Sequence, residues 1–390
     1  MSIVVVKFGV IGLGNRGSKF ALHSIIPHPD FELVAISDQN ESKFLPFEEQ
    51  DVVSYTNYDD LLKDREVDAV FIATPDDTHA EVVLKAVQAE KHILCEKPLE
   101  VSLSKISEME AALAHYKGVF LVGYVLRYAP LYHKVKQILE AGTIGQIWLA
   151  NGVDHIHYGG YAFFHDWHRE KKRSGSLLLQ KATHSLDILN WLIDSKPVQV
   201  AGLGGLEVFG EKGAKKKFGA PLEKNLHCRS CTFKWSCEES LLNIKKYKNI
   251  EWQKNWPDDC VFDSDVDVDD HQALLILYQN NTKLTYSLCQ FSAFYRREFQ
   301  FFGTKGELYF DDERNDIIIN DRLKPETTVI HVAEQAHHGG GDDEMLLDFL
   351  TCLKEKKTPL SNLASSAVAS RLVLAAEEAI SQNKIIEVEG

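Results

Sequence analysis

Short continuous runs of hydrophobic residues alternate with stretches of helical periodicity over the first third of the chain. The runs predict strands at residues 3–11, 31–37, 67–73, 92–95 and 119–125, and the periodic stretches predict helices at 18–26, 80–89 and 103–115. Strands that are apolar on both faces and alternate with helices are typical of a parallel sheet covered by helices. The pattern therefore predicts a doubly wound α/β domain over residues 1–125.

The pattern changes after Arg127, where a strand at residues 144–151 and a long helix at 176–193 are predicted. Strand-like segments then follow one another without helices between them, at residues 198–209, 272–278, 283–291, 298–302 and 307–310. Such a succession is typical of a mostly antiparallel sheet, which predicts an α+β second domain over residues 126–390. A Lys-rich insertion at 210–262 interrupts this domain. Helices at 343–354 and 361–381 close the chain, and we interpret the last one as packing back on the first domain.

The composition narrows the classes of function. The 390 residues include 43 Lys and Arg and 57 Asp and Glu, which gives a formal charge of −14. An acidic surface repels phosphate backbones and anionic lipid, so neither nucleic acid nor a membrane is an expected partner. No apolar run approaches the roughly 20 residues of a spanning helix, and no secretory signal pattern is present. Seven cysteines do not form a secreted disulfide framework, so we expect a cytoplasmic protein.

A glycine-rich turn with the sequence GLGNRG, residues 12–17, joins the first predicted strand to the first predicted helix. Glycines there allow a tight turn, the approach of the backbone to a pyrophosphate, and close helix packing. Asp38 ends the second strand 21 residues after Gly17, where its carboxylate can accept hydrogen bonds from both ribose hydroxyls. The combination predicts dinucleotide binding, and a purely structural glycine turn is the alternative.

Asp38 and Arg16 favour different dinucleotides. The negative charge of Asp38 repels a 2′-phosphate, which favours NAD over NADP. Arg16, next to the third glycine, can pair with a phosphate through two hydrogen bonds, which keeps NADP open.

Further motifs carry a resemblance to a known family. Residues 73–79 (ATPDDTH), 95–99 (CEKPL) and 184–187 (HSLD) follow the glycine loop in that order. With it they resemble the Gfo/Idh/MocA oxidoreductases over essentially the whole chain. The resemblance implies an N-terminal Rossmann domain and a C-terminal α/β domain with a large open sheet that is often used for oligomer contacts. It also implies NAD(P)-linked oxidation or reduction of sugars, cyclitols and related polyols.

The resemblance also implies a site. Lys97 and His184 are expected to face the substrate as catalytic residues, and the Lys97–Pro98 peptide is expected to be cis. The expected cofactor-binding residues are Gly12, Gly14, Asn15, Arg16, Gly17, Asp38, Thr74, Pro75, His79, Glu96 and Lys97. A homodimer or homotetramer through the C-terminal sheet is the expected assembly, and a small sugar or polyol is the expected partner.

Oxidation of a secondary alcohol requires a hydride acceptor, a base and a group that stabilises the developing alkoxide. Lys97 follows the predicted strand at 92–95, at the carboxyl edge of the sheet where doubly wound domains bind ligands. His184 is a neutral imidazole near physiological pH and suits proton transfer. A solvated lysine and a hydrogen-bonded core histidine are the alternative interpretations.

The helix at 176–193 is predicted to carry Gln180, His184 and Asp187 on one polar stripe, and Gln180 and Asp187 are candidate substrate contacts. The family commonly has an acidic residue at the position of Gln180, and an amide cannot supply the negative charge that favours imidazolium. Three alternatives follow. His184 acts with Lys97 alone, Asp187 supplies the negative charge that favours imidazolium, or the reaction differs from that of the family.

Residues 154–169 are dense in His, Tyr, Trp and Arg, which is typical of a sugar-facing loop. His155 and His157 are therefore candidate substrate contacts, with metal ligation as the alternative. Arg127 is a candidate substrate or cofactor contact, with a structural ion pair as the alternative. His337 and His338 are assigned to a loop capped by Asp342.

Four cysteines fall within the insertion: Cys228, Cys231, Cys237 and Cys260. Four thiolates can close a tetrahedral structural zinc site and fix a segment that has little core of its own, and His227 can replace one ligand. The alternatives to zinc at these four cysteines are unmetallated thiols, an occasional disulfide and an iron–sulfur cluster.

The sequence therefore predicts an NAD(P)-dependent dehydrogenase of sugars or polyols. Redox-assisted glycoside cleavage, which uses the same pocket without net NADH, is the second hypothesis. A nucleotide-binding regulator without turnover is the third.

Overall fold

The computed structural model describes residues 5–248, 256–333 and 340–389. The chain forms two compact units. The first comprises Met1–Lys134 and Glu334–Arg371, and the second comprises Val135–Ala333 and Leu372–Gly390. The domain limits of 1–125 and 126–390 stay a prediction.

Strands are numbered in chain order. They are β1 Val6–Ile11, β2 Phe31–Ser37, β3 Val53–Tyr55, β4 Ala69–Ile72, β5 His92–Cys95, β6 Phe120–Val122, β7 Ile147–His155, β8 Pro197–Gly205, β9 His271–Tyr278, β10 Lys283–Cys289, β11 Arg296–Gly303, β12 Gly306–Asp311, β13 Asp316–Asp321, β14 Thr327–His331 and β15 Ile386–Glu387.

The α-helices are α1 Asn15–Phe20, α2 Tyr58–Lys63, α3 His79–Gln88, α4 Leu103–Leu113, α5 Pro130–Glu140, α6 Lys171–Ser174, α7 Thr183–Ile193, α8 Gly210–Phe218, α9 Ile244–Lys248, α10 Gly341–Glu355 and α11 Leu363–Gln382. Among the helices that the structure describes, none combines the length and the apolar character that a bilayer span requires.

The sheet of the first unit is parallel and has the order β3-β2-β1-β4-β5-β6. The predicted doubly wound α/β fold is confirmed. Strand order reverses between β1 and β4, so the loops after these two strands diverge at the carboxyl edge. In folds of this kind that switch point is where ligands bind.

The core of the first unit includes a helix from near the end of the chain. Phe8, Phe71 and Leu94 are fully buried in the sheet, and Met345 and Phe349 of α10 are fully buried in the same cluster. The rings of Phe8 and Phe349 lie 5.6 Å apart between centroids. Helix α10 therefore stabilises the sheet that carries the glycine loop.

The sheet of the second unit has the order β14-β13-β12-β11-β7-β10-β9-β8-β15. Its neighbouring strands are antiparallel except β7 and β10, which are parallel. The predicted mostly antiparallel α+β architecture is confirmed. Strands β13, β14 and β15 were not predicted, because each has an apolar run of three residues or fewer between polar residues.

The predicted single helix at residues 176–193 is wrong in one respect. Residues Leu178–Ala182 form a π-helical turn, and the α-helix begins at Thr183. A second π-helical turn, Gly160–Phe164, follows β7 after a short loop. An extra residue in a helical turn is frequent at functional sites, since it redirects the side chains around it.

Candidate active site

The glycine loop follows β1 and has the geometry that a pyrophosphate requires. Gly12 has a φ of +91°, and a Cβ there would lie 2.6 Å from the Ala73 carbonyl oxygen. A Cβ on Gly17 would overlap the Gly12 carbonyl oxygen, whereas a Cβ on Gly14 would meet no atom within 4 Å. The outer two glycines are thus required by the fold, and the middle one leaves space at the backbone. This arrangement fits a dinucleotide phosphate at the start of α1.

Asp38 follows β2 and lies against the same loop. Its Oδ2 accepts a hydrogen bond from the Leu13 amide at 2.8 Å, and its Oδ1 accepts one from the Asn40 amide at 2.9 Å. The half-buried carboxylate is therefore held in a fixed orientation beside the glycine turn. That is the position at which a ribose diol is bound in this type of fold.

Arg16 is engaged by two carboxylates within the first unit. Its Nε donates to Glu96 Oε1 at 2.5 Å, and its two terminal nitrogens donate to Asp342 Oδ2 at 3.0 Å and Oδ1 at 2.6 Å. The guanidinium also lies 4.8 Å from the centre of the Phe20 ring. Binding of a 2′-phosphate to Arg16 would have to compete with both carboxylates. The ion pairs link the glycine loop, the β5 end and the start of α10.

Lys97 lies just beyond β5 and is half-buried. Its backbone amide donates to Glu96 Oε2 at 3.1 Å, and the Lys97–Pro98 peptide bond is cis, as the resemblance implied. Lys97 and Arg16 thus contact opposite oxygens of one carboxylate. The lysine is anchored at the carboxyl edge of the sheet, beside the elements that carry the glycine loop.

His79 lies between two segments that are predicted to bind the cofactor, Thr74–Pro75 and Lys97–Pro98. It is fully buried; its Nδ1 lies 2.8 Å from the Pro98 carbonyl oxygen and its Nε2 lies 3.1 Å from the Thr74 carbonyl oxygen. A neutral imidazole donates a hydrogen bond to one of these two carbonyl oxygens, and in either tautomer it lies between the Thr74–Pro75 and Lys97–Pro98 segments. Pro75 is exposed and Thr74 is half-buried, so these two residues lie nearer the surface.

We expect the protein to become less stable toward unfolding in mild acid, because three of its histidines have a lowered pKa. Burial lowers the pKa of His79, His92 and His165 below the ordinary value of 6.5, so the unfolded chain binds protons first as the pH falls. Their contribution to stability is complete above pH 6.5 and is lost as the pH falls toward the lowered values. We expect the thermal unfolding midpoint to fall between pH 7.5 and 5.5.

Calorimetric scans of wild type and His79→Gln at three pH values test this expectation. The variant should be less stable at pH 7.5 and should lose less on acidification, whereas His331→Gln, at an exposed site, should follow the wild type. A midpoint that rises on acidification would contradict the assignment.

His184 lies in the first turn of α7 and is half-buried, whereas Gln180 is 7% exposed and Asp187 is fully buried. Gln180 belongs to the π-helical turn that precedes α7. The predicted continuous polar stripe is therefore interrupted, and Asp187 lies in the interior of the second unit. The catalytic and substrate roles of these three residues stay predictions.

The aromatic segment after β7 forms a cluster. The His157 ring centroid lies 5.5 Å from that of Tyr158, 6.2 Å from that of Tyr161 and 6.4 Å from that of Tyr295. Lys181 donates from Nζ to the Tyr158 hydroxyl at 2.5 Å. The sequence placed His157 and Tyr158 in one predicted sugar-facing segment, but it did not indicate that Tyr295 and Lys181 lie against them.

The other candidate contacts have protein partners. His155 ends β7, and its Nε2 lies 3.7 Å from Glu298 Oε2. Arg127 is 4% exposed and donates to the Leu360 carbonyl oxygen at 3.2 Å, which agrees with a structural role. The residues His337 and His338 lie outside the described part of the chain.

The predicted structural zinc site is not supported. Within residues 5–248, 256–333 and 340–389, no group of three or more His, Cys, Asp or Glu side chains is arranged to hold a metal ion. Cys228, Cys231, Cys237 and Cys260 instead line a cavity of about 330 Å³, including space open to solvent, together with apolar side chains. Burial raises the pKa of Cys237 to about 11 and that of Cys260 to about 12, so these thiols are protonated at neutral pH.

The comparisons with known proteins agree with this architecture. Residues 6–124 match the family model described as an oxidoreductase family with an NAD-binding Rossmann fold, and residues 132–309 match the model of the GFO/IDH/MocA C-terminal domain. The chain belongs to the Gfo/Idh/MocA oxidoreductases. As a member of that family it is an NAD-binding oxidoreductase.

Individual Gfo/Idh/MocA relatives are distant. The chain is 26% identical to the putative oxidoreductase YteT of Bacillus subtilis, over 75% of this chain and 74% of that protein. It is 28% identical to an inositol 2-dehydrogenase of Salmonella typhimurium, over 50% of this chain and only 58% of that protein. The solved structure of levoglucosan dehydrogenase with NADH and levoglucosan has a TM-score of 0.76 at 19% identity, covering 99% of this chain and all of that one. This last similarity shows the fold alone.

Proposed function

We propose that the protein transfers a hydride between NAD and a secondary alcohol of a sugar, cyclitol or related polyol. The observation that carries the proposal is the anchoring of Lys97 through Glu96 to Arg16, which lies next to the third glycine of the loop. The Lys97 amine follows β5 at the carboxyl edge of the sheet, where a dinucleotide binds in folds of this kind. An amine there can stabilise negative charge on a substrate oxygen beside the cofactor. The names of the inositol and levoglucosan relatives support the substrate class.

The proposed reaction removes one hydride from the carbinol carbon and one proton from its oxygen. Bound nicotinamide supplies the hydride acceptor. The Lys97 ammonium hydrogen bonds to the reacting oxygen and stabilises its developing negative charge. Neutral His184 takes the proton in the oxidation and returns it in the reduction.

NAD is the proposed cofactor in preference to NADP. Asp38 keeps a negative charge beside the glycine turn, and the cation that was expected to compensate a 2′-phosphate, Arg16, is already paired with Glu96 and Asp342. Both features oppose a further phosphate. The remaining predicted cofactor residues, Asn15 among them, stay part of this proposal.

Asp38→Asn tests the cofactor preference. The amide keeps a hydrogen-bond acceptor for the Leu13 amide but removes the charge that repels a 2′-phosphate. We expect the ratio of the NADPH and NADH dissociation constants to fall by about tenfold or more, as loss of a charge at this range implies. Fluorescence titration of both reduced cofactors measures the ratio, and wild-type protein that binds NADPH as tightly as NADH would contradict the proposal.

A panel of polyols tests the function itself. myo-Inositol, scyllo-inositol, levoglucosan and simple sugars are supplied with NAD, and absorbance at the nicotinamide wavelength is followed. The proposal expects NADH from at least one of them. Release of product from glycosides without accumulation of NADH would replace the proposal with redox-assisted cleavage, and capture of a protein partner without either would favour a regulator.

The assembly through the second-unit sheet and the cytoplasmic location stay parts of this proposal. Exposed leucines on the sheet support an assembly, since Leu203 on β8 is 69% exposed and Leu275 on β9 is 54% exposed. Exposed apolar side chains that form a contiguous patch mark a candidate surface for contact with a partner.

A further inference from the structure

A buried lysine holds a tyrosine hydroxyl in the second unit. The Lys181 ammonium donates to the Tyr158 hydroxyl oxygen at 2.5 Å, and Lys181 is 8% exposed. Its nitrogen lies 5.2 Å from the centre of the Tyr158 ring and 5.1 Å from that of Tyr295. The ammonium therefore lies among aromatic faces, where a cation is stabilised, and its donor is directed at one phenol.

The backbone around both residues is irregular in the same way. Lys181 lies in the π-helical turn Leu178–Ala182, three residues before His184. Tyr158 lies between the end of β7 and the π-helical turn Gly160–Phe164. The buried amine and the phenol thus meet where the chain carries two π-helical turns, and turns of this kind are frequent at functional sites.

The direction of the hydrogen bond determines what Tyr158 can do. The phenol oxygen accepts from Lys181, so its own hydrogen is directed to another acceptor. Burial raises the pKa of Tyr158 well above its ordinary value, so the phenol stays protonated and serves as a donor rather than a base. A donor whose oxygen is polarised by a cation is stronger than an isolated phenol. Tyr158 is half-buried and so retains access to solvent.

The charge of this region differs from the arrangement implied by the family resemblance. Gln180 stands where the resemblance implies an acid, and the next residue is Lys181, so an amide followed by a cation replaces a carboxylate. A neutral imidazole is the form that accepts the substrate proton.

We propose that Tyr158 is a further catalytic residue, which donates a hydrogen bond to the reacting oxygen of the substrate, and that Lys181 is its positioning residue. The proposal rests on the proposed function. In the oxidation the hydride leaves the carbinol carbon for NAD, the hydroxyl proton goes to His184, and Tyr158 keeps its own proton while stabilising the alkoxide. In the family an acid at position 180 would orient the base, His184. Here we propose that Tyr158, held by Lys181, instead donates a hydrogen bond to the substrate.

A double-mutant cycle in the full-length protein loaded with NAD tests the pair. Tyr158→Phe removes the hydroxyl and keeps the ring, and Lys181→Met removes the ammonium and keeps much of the chain. We expect each variant to lower kcat with the best polyol of the panel by about 100-fold to 1,000-fold, the range for loss of one stabilising donor. The double variant should lose no more than about threefold beyond either single variant, because the two residues act as one unit. Lys181→Arg should recover part of the loss, and the dissociation constant of NADH should stay within threefold of the wild type.

Matched controls separate this role from stability. Lys136 is a buried lysine in the same unit that donates to the Trp191 carbonyl oxygen at 2.8 Å and lies 5.7 Å from the Trp191 ring. Tyr309 is a half-buried tyrosine on β12 that donates to Asp311 at 3.2 Å. Lys136→Gln and Tyr309→Phe should lower the unfolding midpoint without changing kcat by more than about twofold. The inference would be overturned if Tyr158→Phe and Lys181→Met each kept kcat within threefold of the wild type. It would also be overturned if the fold-loss of the double variant equalled the product of the two single fold-losses.

A second measurement needs no substrate. In protein labelled with ¹³C at the tyrosine Cζ carbon, the resonance that is absent from Tyr158→Phe belongs to Tyr158. Lys181→Met should shift that resonance, and Lys136→Gln should not. If the Tyr158 resonance does not shift in Lys181→Met, the proposed pairing of Lys181 with Tyr158 is overturned, whether or not a polyol is oxidised. Wild-type protein that oxidises none of the panel while the resonance does shift would overturn the proposed function and, with it, the catalytic role of Tyr158.

Discussion

Lys97→Met is expected to lower kcat by about 100-fold to 1,000-fold while the dissociation constant of NADH changes less than threefold. Lys97 is proposed to stabilise the charge that develops on the reacting oxygen, and loss of one such donor costs about 10² to 10³ in rate. Stopped-flow nicotinamide absorbance measures kcat, and NADH fluorescence measures the dissociation constant.

The matched control for this substitution is Lys105→Met. Lys105 is a partly exposed lysine of α4 that donates to the Asp77 carbonyl oxygen at 2.8 Å and is not part of the proposed site. It should leave kcat within twofold of the wild type. A Lys97→Met protein that keeps a tenth or more of the wild-type kcat would remove Lys97 from the proposed catalytic residues.

His184→Ala is expected to lower kcat by about 100-fold to 10,000-fold, the usual range for loss of a general base. Because the base is neutral imidazole, the wild-type rate of oxidation should fall as the pH drops through the pKa of His184, and the variant should lose that acidic limb. NADH affinity should be intact. Kinetics between pH 5.5 and 9 measure both effects.

A different result would change the interpretation of His184. If the alanine variant no longer binds NADH, the histidine serves the fold or the cofactor rather than proton transfer. His331→Ala is the control, since His331 is exposed and paired with Asp316 on a distant strand. It should reproduce the wild-type pH profile.

The sequence was sufficient for features that depend on local pattern. The run of apolar residues before GLGNRG predicted both β1 and the glycine turn, because a buried strand and a tight turn each leave a short-range signal. Parallel strands end at one edge of the sheet, so the places of Asp38 and Lys97 at that edge followed from strands β2 and β5. The limits of β2 and β5 were predicted to the residue.

Features that depend on distant partners were not predictable. Arg16 and Asp342 are 326 residues apart, and nothing in the glycine loop indicates that its arginine binds the start of α10. The same holds for the hydrogen bond between Lys181 and Tyr158. Apolar periodicity continues through residues 176–193, so the pattern could not reveal the extra residue of the π-helical turn.

The cysteine segment illustrates a limit of spacing arguments. The spacings between Cys228, Cys231, Cys237 and Cys260 are compatible with a metal site, but spacing along a chain does not fix how far apart four sulfur atoms lie. In the structure these buried thiols line a cavity with apolar neighbours. Within the described residues, no group of three or more His, Cys, Asp or Glu side chains is arranged to hold a metal ion.

The fate of the carbinol hydrogen tests the central claim most directly. myo-Inositol, scyllo-inositol and levoglucosan, each deuterated at every ring carbon, are incubated with the protein and NAD, and the nicotinamide product is examined by mass spectrometry. The account predicts that at least one of them yields reduced cofactor with one deuterium per molecule and a ketone with one deuterium fewer than its parent. Conversion of substrate without deuterium in the nicotinamide, or no conversion of any of the three, would contradict it.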